Sequence, residues 1–310
     1  MHAGFVDVDS CWVCGGGGLT REHDARLDLD IYRDQHPDLA QYTGETVWFR
    51  TCSACGFTQP ERVPLLPGFF DRLYDQLWSP DWVREEFESS YKDLIFRTIL
   101  AGLNRRTRCR TRLLDIGAHA GRFMHLAQAA GWQPEGIELN ARTAAFAADR
   151  TGLPVYSVNV EKLEFATARY GAITLIDVLE HLPYPGTLLA RIHEALSPNG
   201  WIAVKVPSGP AQRTKERLRA RLHHRYHPRL ADNLVHVNHF SPLSLCTALE
   251  GAGFRDVTIE IAPPELPPAR RFPEKLANLG RRLIYFGGRL VPGALNTPVA
   301  LNLLAFGRRP

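Results

Sequence analysis

Long apolar runs are missing from this 310-residue chain. Its longest late stretch without a charge, Val291 to Phe306, is interrupted by Pro292, Asn296, Pro298 and Asn302, so nothing reads as a membrane-spanning helix. A leader pattern is missing too, since Met1 to Ser10 has neither a basic start nor an apolar centre; a cytoplasmic location is the expectation. Charge of one sign is scarce: the net charge is only +4, which removes a global pull toward nucleic acid. Repeats and low-complexity tracts are absent. What remains, 45% hydrophobic and 23% charged residues, is ordinary globular composition, long enough for one large α/β domain and a small appendage.

Cysteine is also sparse, with 6 in the chain. Four of them stand as Cys11-x-x-Cys14 and Cys52-x-x-Cys55, each pair followed by glycine in a knuckle-like turn. In a reducing compartment such spacing points to metal before disulfides, and two pairs complete a tetrahedral S₄ site suited to structural Zn²⁺. A redox pair or unliganded thiols are the competing readings. The intervening stretch Gly15 to Thr51 is long for a zinc ribbon; His23 and His36 are spare ligands that four thiolates make unnecessary. Cys109 and Cys246 have no partners at useful spacing and read as packed or surface thiols.

The organising stretch is Leu113-Leu114-Asp115-Ile116-Gly117-Ala118-His119-Ala120-Gly121, an apolar strand entering a glycine turn and then a helical pattern from Arg122 to Ala130. Gly117 lets the backbone bend sharply beside a ligand, Gly121 lets the helix pack on its strand, and the helix start offers free N–H groups to an anion. Gln133 to Glu138 reads as a second strand ending in an acid, and Glu138, about twenty positions after Asp115, can hold both hydroxyls of a ribose. The G-x-G-x-x-G of a dehydrogenase is absent because position 119 is His.

With Asp177-Val178-Leu179-Glu180-His181-Leu182 added, the motifs resemble those of class I S-adenosylmethionine-dependent methyltransferases, over about residues 90 to 260. The resemblance implies a Rossmann-like seven-stranded α/β sheet. It implies cofactor contacts from Asp115, Gly117, Ala118, Gly121, Glu138, Leu139, Asn159, Asp177 and Val178, with Asn159 or Glu161 standing where the family has an aspartate against adenine. It also places the Asp177 to His181 segment along the methyl-transfer site. Transfer from a sulfonium needs alignment and removal of the acceptor's proton. His181 is either that base or a structural contact.

The cysteine pairs together with Val47 to Gln59 look like the zinc domain preceding the core in bacterial deoxysugar C-methyltransferases, which implies a sugar or natural-product setting and a substrate held between the two parts. The resulting division is residues 1–65 for a zinc domain and 66–310 for the methyltransferase domain, with insertions at about 208–235 and 263–296. Asn233 to Ser241 is similar to an active-site element of that family and aligns His236 with its histidine, but Val235 stands in place of a glutamate and Asn233 in place of a tyrosine. Those losses, and the lack of the family's third domain, favour O- or N-methylation over C-methylation. His236 is thus a second base candidate or a structural histidine.

The remaining segments read as follows. Ser79-Pro80-Asp81 starts a helix expected to run to about Leu103, with Tyr91 on its packing face or against cofactor; the arginines around Arg105 to Arg112 are a solvated loop. Between Gln212 and Arg229 seven Lys or Arg face one acid, Glu216, which is either a solvated face or a grip on an anionic acceptor. Arg270 to Arg289, with interleaved leucines, is either a solvated helix pair, a basic lid or a surface resting on a membrane. The leading expectation is methyl transfer to a small polar, anionic acceptor such as a nucleotide-linked sugar or natural-product intermediate. RNA methylation and a non-catalytic cofactor-binding role are the alternatives; oligomeric state is undetermined.

Overall fold

The structure is a computed structural model, and it describes residues 4–30, 33–34, 36–69, 72, 79–107, 111–222 and 236–310. Among these, no helix is long and apolar enough to cross a membrane.

Strands β1 (Phe5–Asp7), β2 (Leu19–Arg26), β3 (Thr46–Cys52), β4 (Thr58–Pro60) and β5 (Arg62–Pro64) form two small antiparallel sheets, β1-β5 and β2-β3-β4, with the short helix α1 (Pro37–Ala40) between β2 and β3. Leu27, Leu29, Leu39, Tyr42, Val47 and Phe69 make their own small core.

The main sheet is built from β6 (Arg112–Ile116), β7 (Gln133–Glu138), β8 (Val155–Ser157), β9 (Tyr170–Ile176), β10 (Leu196–Pro207), β11 (Arg255–Ile261) and β12 (Asn302–Arg308), in the order β11-β12-β10-β9-β6-β7-β8. Pairs among β6 to β10 are parallel, while β12 runs antiparallel to both β10 and β11. This is the expected seven-stranded Rossmann-like α/β architecture. The central strands alternate between two buried faces: Leu114, Ile173, Leu175, Ile202 and Val204 join one core, and Leu113, Ala172, Trp201 and Ala203 the other. That double burial is why β9 reads as a continuous apolar run.

The intervening helices are α2 (Pro80–Glu88), α3 (Asp93–Arg106), α4 (Arg122–Ala129), α5 (Ala141–Thr151), α6 (Pro185–Ala195), α7 (Gly209–Leu222), α8 (Pro242–Gly251) and α9 (Phe272–Leu290). Ser79 caps α2 as expected, its side chain accepting from the Trp82 N–H. However, the helix does not continue to Leu103: Ser89 is extended and a 3₁₀ turn over Ser90–Lys92 separates α2 from α3. The break brings Tyr91 and Lys92 onto the buried Glu86 carboxylate, each at 2.9 Å, and a continuous helix would take both partners away from that charge. The expected helix pair near the C-terminus is one 19-residue helix, α9, because Gly280 and Gly287 do not interrupt it.

Gly102 lets α3 lie directly on β12: a Cβ there would sit 2.2 Å from Phe306 Cζ, inside a core with no spare volume. Gly102→Ala is therefore expected to destabilise the fold by about 1–3 kcal/mol through overpacking, read as a lowered midpoint in urea. An unchanged midpoint would show that Phe306 can yield.

The N-terminal sheets and the main core are continuous. Cys11, Cys52, Cys55 and Phe57 belong to the same buried cluster as Leu114 and Ile173, Phe57 packs on Phe240 with ring centroids 5.0 Å apart, and Ser241 Oγ donates to the Cys55 carbonyl at 2.8 Å. Thr58 and His239 exchange both backbone hydrogen bonds, at 2.9 and 3.1 Å. The residues around His239 are thus held on the cysteine-bearing loops.

Candidate active site

The carboxyl ends of β6, β7, β8 and β9 border a cavity of about 680 Å³. Asp115, Gly117, Ala118, Glu138, Leu139, Asn159, Asp177, Val178 and His181 all line it. Gly121 does not; it has φ +80° and its missing Cβ would meet Thr151 and Ala147 of α5 at 3.0 and 3.2 Å, so it seats α4 against α5. Gly117, φ +77°, serves the cavity itself, since a Cβ there would lie 2.4 Å from a methyl of Val178. Tyr91 lies outside the lining, occupied with Glu86.

Glu138 ends β7 with its Oε2 accepting from the His119 N–H at 2.9 Å and its Oε1 from the Asn140 N–H at 3.0 Å. The acid thereby ties the glycine turn to the next loop while its carboxylate borders the cavity. Asn159 accepts from the Glu161 N–H at 2.8 Å, and both residues line the same wall. Two residues that sequence reasoning passed over complete this end: Trp82 packs edge-on to His119 with centroids 4.4 Å apart, and Glu86 lies 3.4 Å from His119 Nδ1. Burial raises the Glu86 carboxyl, but His119 and then Lys92 together hold it well below the ordinary range.

Asp115 is buried, with its Oδ1 accepting from Thr174 Oγ1 at 2.6 Å. Burial pushes its carboxyl up to about 7, helped by the Glu138 charge and opposed by the Thr174 hydrogen bond. Unfolded, the group ionises near ~4. Between those values the folded chain keeps a proton that the unfolded chain has released, so this contribution to stability falls as pH rises from about 4 to about 7. Asp115→Asn should flatten that slope in thermal melts of the cofactor-free chain across this range; a slope that persists would assign it to another group.

Beyond Asp177 the wall opens toward a second cavity of about 450 Å³ lined by Lys92, Asp177, Glu180, Lys205, His236 and Arg281 among others. Lys92 and Asp177 line both cavities. Asp177 adopts φ +57°, donates its N–H to the Lys205 carbonyl at 3.0 Å and pairs its carboxylate with Lys205 Nζ. Lys205 is a lysine within an otherwise apolar central strand, and this was the signal available in the sequence for its role. His181 and His236 meet edge to face with centroids 4.7 Å apart, the first lining the larger cavity and the second the smaller. Burial, then the neighbouring His236, pushes the His181 imidazole well down, so it stays neutral. Glu180 beside them is buried, and burial with the nearby Asp177 pushes its carboxyl well up. Asn238 anchors this corner by donating to the carbonyls of Leu179 and Leu182 at 2.8 and 2.6 Å.

The basic stretch after Gln212 turns away from both cavities in its described part. Arg213 donates to Thr58 Oγ1 at 2.8 Å, Arg217 pairs with Glu22, and Arg219 with Glu216 at 3.5 Å. These arginines fasten α7 mainly to the N-terminal sheets. The later part of that stretch, from His223 to Arg229, together with Asn233, Val235, Arg108, Cys109 and Arg110, lies outside the described residues. The arginine that faces the smaller cavity, beside Lys92 and Lys205, is instead Arg281 of α9.

The four cysteines of the N-terminal loops converge. Cys11 and Cys55 Sγ are 3.6 Å apart, as are Cys14 and Cys52 Sγ, and all four sulfurs lie within 4.8 Å of one another. Tetrahedral thiolates around zinc are separated by roughly 3.8 Å, so the donor set and its spacing fit that ion. Gly15 and Gly56, at φ +71° and +70°, close the two knuckles by donating to the carbonyls of Cys11 and Cys52.

A family model described as a methyltransferase domain matches residues 84–259, more than half of the chain. Ubiquinone biosynthesis O-methyltransferases of Burkholderia orbicola (strain MC0-3) and Burkholderia cenocepacia are 31% identical over 97 residues, which is 29% of this chain and 42% of theirs. The chain thus spans less than half the length of these curated relatives. Among solved structures, Haemonchus contortus phosphoethanolamine N-methyltransferase 2 with S-adenosyl-L-methionine aligns at TM-score 0.51 and 18% identity, covering 94% of this chain and 68% of that one. The complex of that enzyme with phosphomonomethylethanolamine and S-adenosylhomocysteine aligns at 0.54 and 17%, with the same coverage. Together with the seven-stranded sheet and its glycine-turn cavity, the match over residues 84–259 establishes that the chain belongs to the methyltransferase-domain family and carries a domain of the class I S-adenosylmethionine-dependent methyltransferase type.

Proposed function

We propose that the chain transfers the methyl group to an oxygen or nitrogen of a small anionic acceptor seated in the smaller cavity. The larger cavity would take S-adenosylmethionine, Glu138 binding its ribose and the turn at Gly117 and Ala118 its amino-acid end. The observation that carries this reading is the shared wall at Lys92 and Asp177, flanked by His181 on one side and His236 on the other. A second, polar compartment beside that wall supports an acceptor that approaches the sulfonium in line. Arg281 has no ion pair among the described residues and supplies the contact for a phosphate or carboxylate. His236, its Nδ1 3.4 Å from Gln212 Nε2, is placed to take the acceptor's proton, with His181 backing it. The O-methylating activity in the names of the Burkholderia relatives supports oxygen as the target, and a nucleotide-linked sugar or phosphorylated natural-product intermediate fits the charge.

In the same reading, residues 1–65 are a domain organised by one structural Zn²⁺ on Cys11, Cys14, Cys52 and Cys55, and residues 66–310 carry the chemistry. Four thiolates leave the metal no open position, so its part is to hold the loops that back Thr58 and His239.

Transfer of labelled methyl groups to a panel of phosphorylated, carboxylated and neutral acceptors tests the assignment. Arg281→Ala should raise KM for an anionic acceptor about ten-fold or more with kcat nearly unchanged, and His236→Ala should lower kcat about a hundred-fold with little change in cofactor affinity. Equal losses with neutral and anionic acceptors in Arg281→Ala would remove the anion from the proposal.

A further inference from the structure

We infer that α9 docks the protein on an anionic lipid bilayer surface. Phe272, Leu276, Leu279, Leu283, Phe286 and Leu290 follow one another at spacings of four, three, four, three and four along this helix, which puts all six on one stripe. The stripe faces outward: Phe272 is 78% exposed, Leu283 64% and Leu290 84%. The opposite side is the one that packs, through buried Tyr285 and Gly288, where an added Cβ would lie 3.0 Å from a methyl of Val299. Among the described residues, nothing therefore covers the apolar side of this strongly amphipathic helix.

Charge decides what covers it. Lys275, Arg282 and Arg289 run along one flank of the stripe, and Arg270, Arg271 and Arg281 add to the same segment. Its single acid, Glu274, is engaged by the backbone N–H groups of Arg270 and Arg271 at 2.7 and 2.8 Å. Arg289 alone of these cations has an acid partner among the described residues, Glu260 at 3.6 Å. A second copy of the same helix is a poor partner. Antiparallel pairing would set the cationic flank against itself, and parallel pairing would set it against Gly280 and Gly287, which carry no charge. A bilayer with anionic headgroups answers both features at once, taking the apolar stripe below the headgroups and the cations among them. The same helix presents Arg281 to the smaller cavity on its other side, so the cavity wall would lie against the lipid surface. The docking does not depend on which acceptor is methylated.

Sedimentation of the full-length protein with vesicles tests this. Vesicles of phosphatidylcholine with about 30% phosphatidylglycerol should bind it at least about ten-fold more tightly than phosphatidylcholine alone, and salt at about 0.5 M should weaken the binding. The variants Leu283→Glu/Phe286→Glu and Lys275→Glu/Arg282→Glu should each lose about ten-fold or more in affinity for the anionic vesicles while keeping S-adenosylhomocysteine affinity, since none of these residues lines a cavity. Absence of binding to anionic vesicles, or binding untouched by both variants, overturns the inference. So does a dimer in analytical ultracentrifugation that Leu283→Glu/Phe286→Glu dissolves, because the stripe would then belong to a second copy.

Discussion

Replacing Glu138 with alanine is expected to weaken S-adenosylhomocysteine binding about a hundred-fold or more, measured by calorimetry. The carboxylate stands at the end of β7 on the cavity wall, with one oxygen toward the His119 amide and the other toward the Asn140 amide. Those amides fix its plane before a ligand arrives. A ribose presenting two adjacent hydroxyls would donate to the remaining lone pairs, and two hydrogen bonds to a charged acceptor contribute roughly 3–4 kcal/mol, a factor of about 10² to 10³. Removing the side chain also frees the turn between Gly117 and Gly121, because the His119 amide loses its acceptor. Glu138→Gln keeps one oxygen and should recover about ten-fold of the loss. An affinity within about threefold of the parent in Glu138→Ala would mean that the ribose is held elsewhere, and the cofactor orientation proposed above would fail.

The second large effect concerns the cysteines. Purified protein should contain one zinc per chain, and Cys52→Ser/Cys55→Ser should lose it and lower Tm by more than about 10 °C, since metal-binding free energy at such a site is on the order of 10 kcal/mol and is coupled to folding. Burial pushes the metal-free Cys11 thiol up to about 11, and the Cys55 thiol higher still. Without a cation these sulfurs would remain neutral thiols packed against one another, with little to hold two separate loops together. The effect should reach the acceptor side. Cys55 accepts from Ser241, Thr58 is bridged to His239, and His239 Nε2 lies 3.0 Å from the His236 carbonyl. Loosening the cysteine loops should therefore lower methyl transfer more than it lowers cofactor affinity, since the glycine turn is anchored on β6 and α4 instead. Protein isolated without metal, with the double variant melting within about 2 °C of the parent, would leave the four thiols as ordinary buried groups.

How much of this was legible beforehand follows the range of each interaction along the chain. Asp115, Gly117, Glu138, Asp177 and Val178 are read from short motifs because each acts within its own strand-to-helix turn, where backbone shape depends on a few neighbours. The helix break at Ser89 was not legible: the apolar positions from Trp82 to Leu103 keep helical spacing across it, and only the buried Glu86 explains why the chain turns there. The basic stretch after Gln212 misled for a related reason. Charge density marks an electropositive segment without saying what it faces, and in the described part its arginines reach Glu22 and Thr58 instead of a cavity.

By itself, then, the sequence determined the family, the strand, glycine turn and helix that open the core with the acid of the next strand, and the two cysteine pairs, since these rest on local backbone preference and fixed spacing. Only the tertiary structure decided that Lys92, Asp177, Lys205, His236 and Arg281 border one compartment, that His239 rests on the cysteine loops, and that the apolar stripe of α9 faces outward. Those juxtapositions join residues far apart in the chain. They arise from how sheet, helices and loops pack around a shared core, and no local pattern encodes which distant side chain will arrive opposite another.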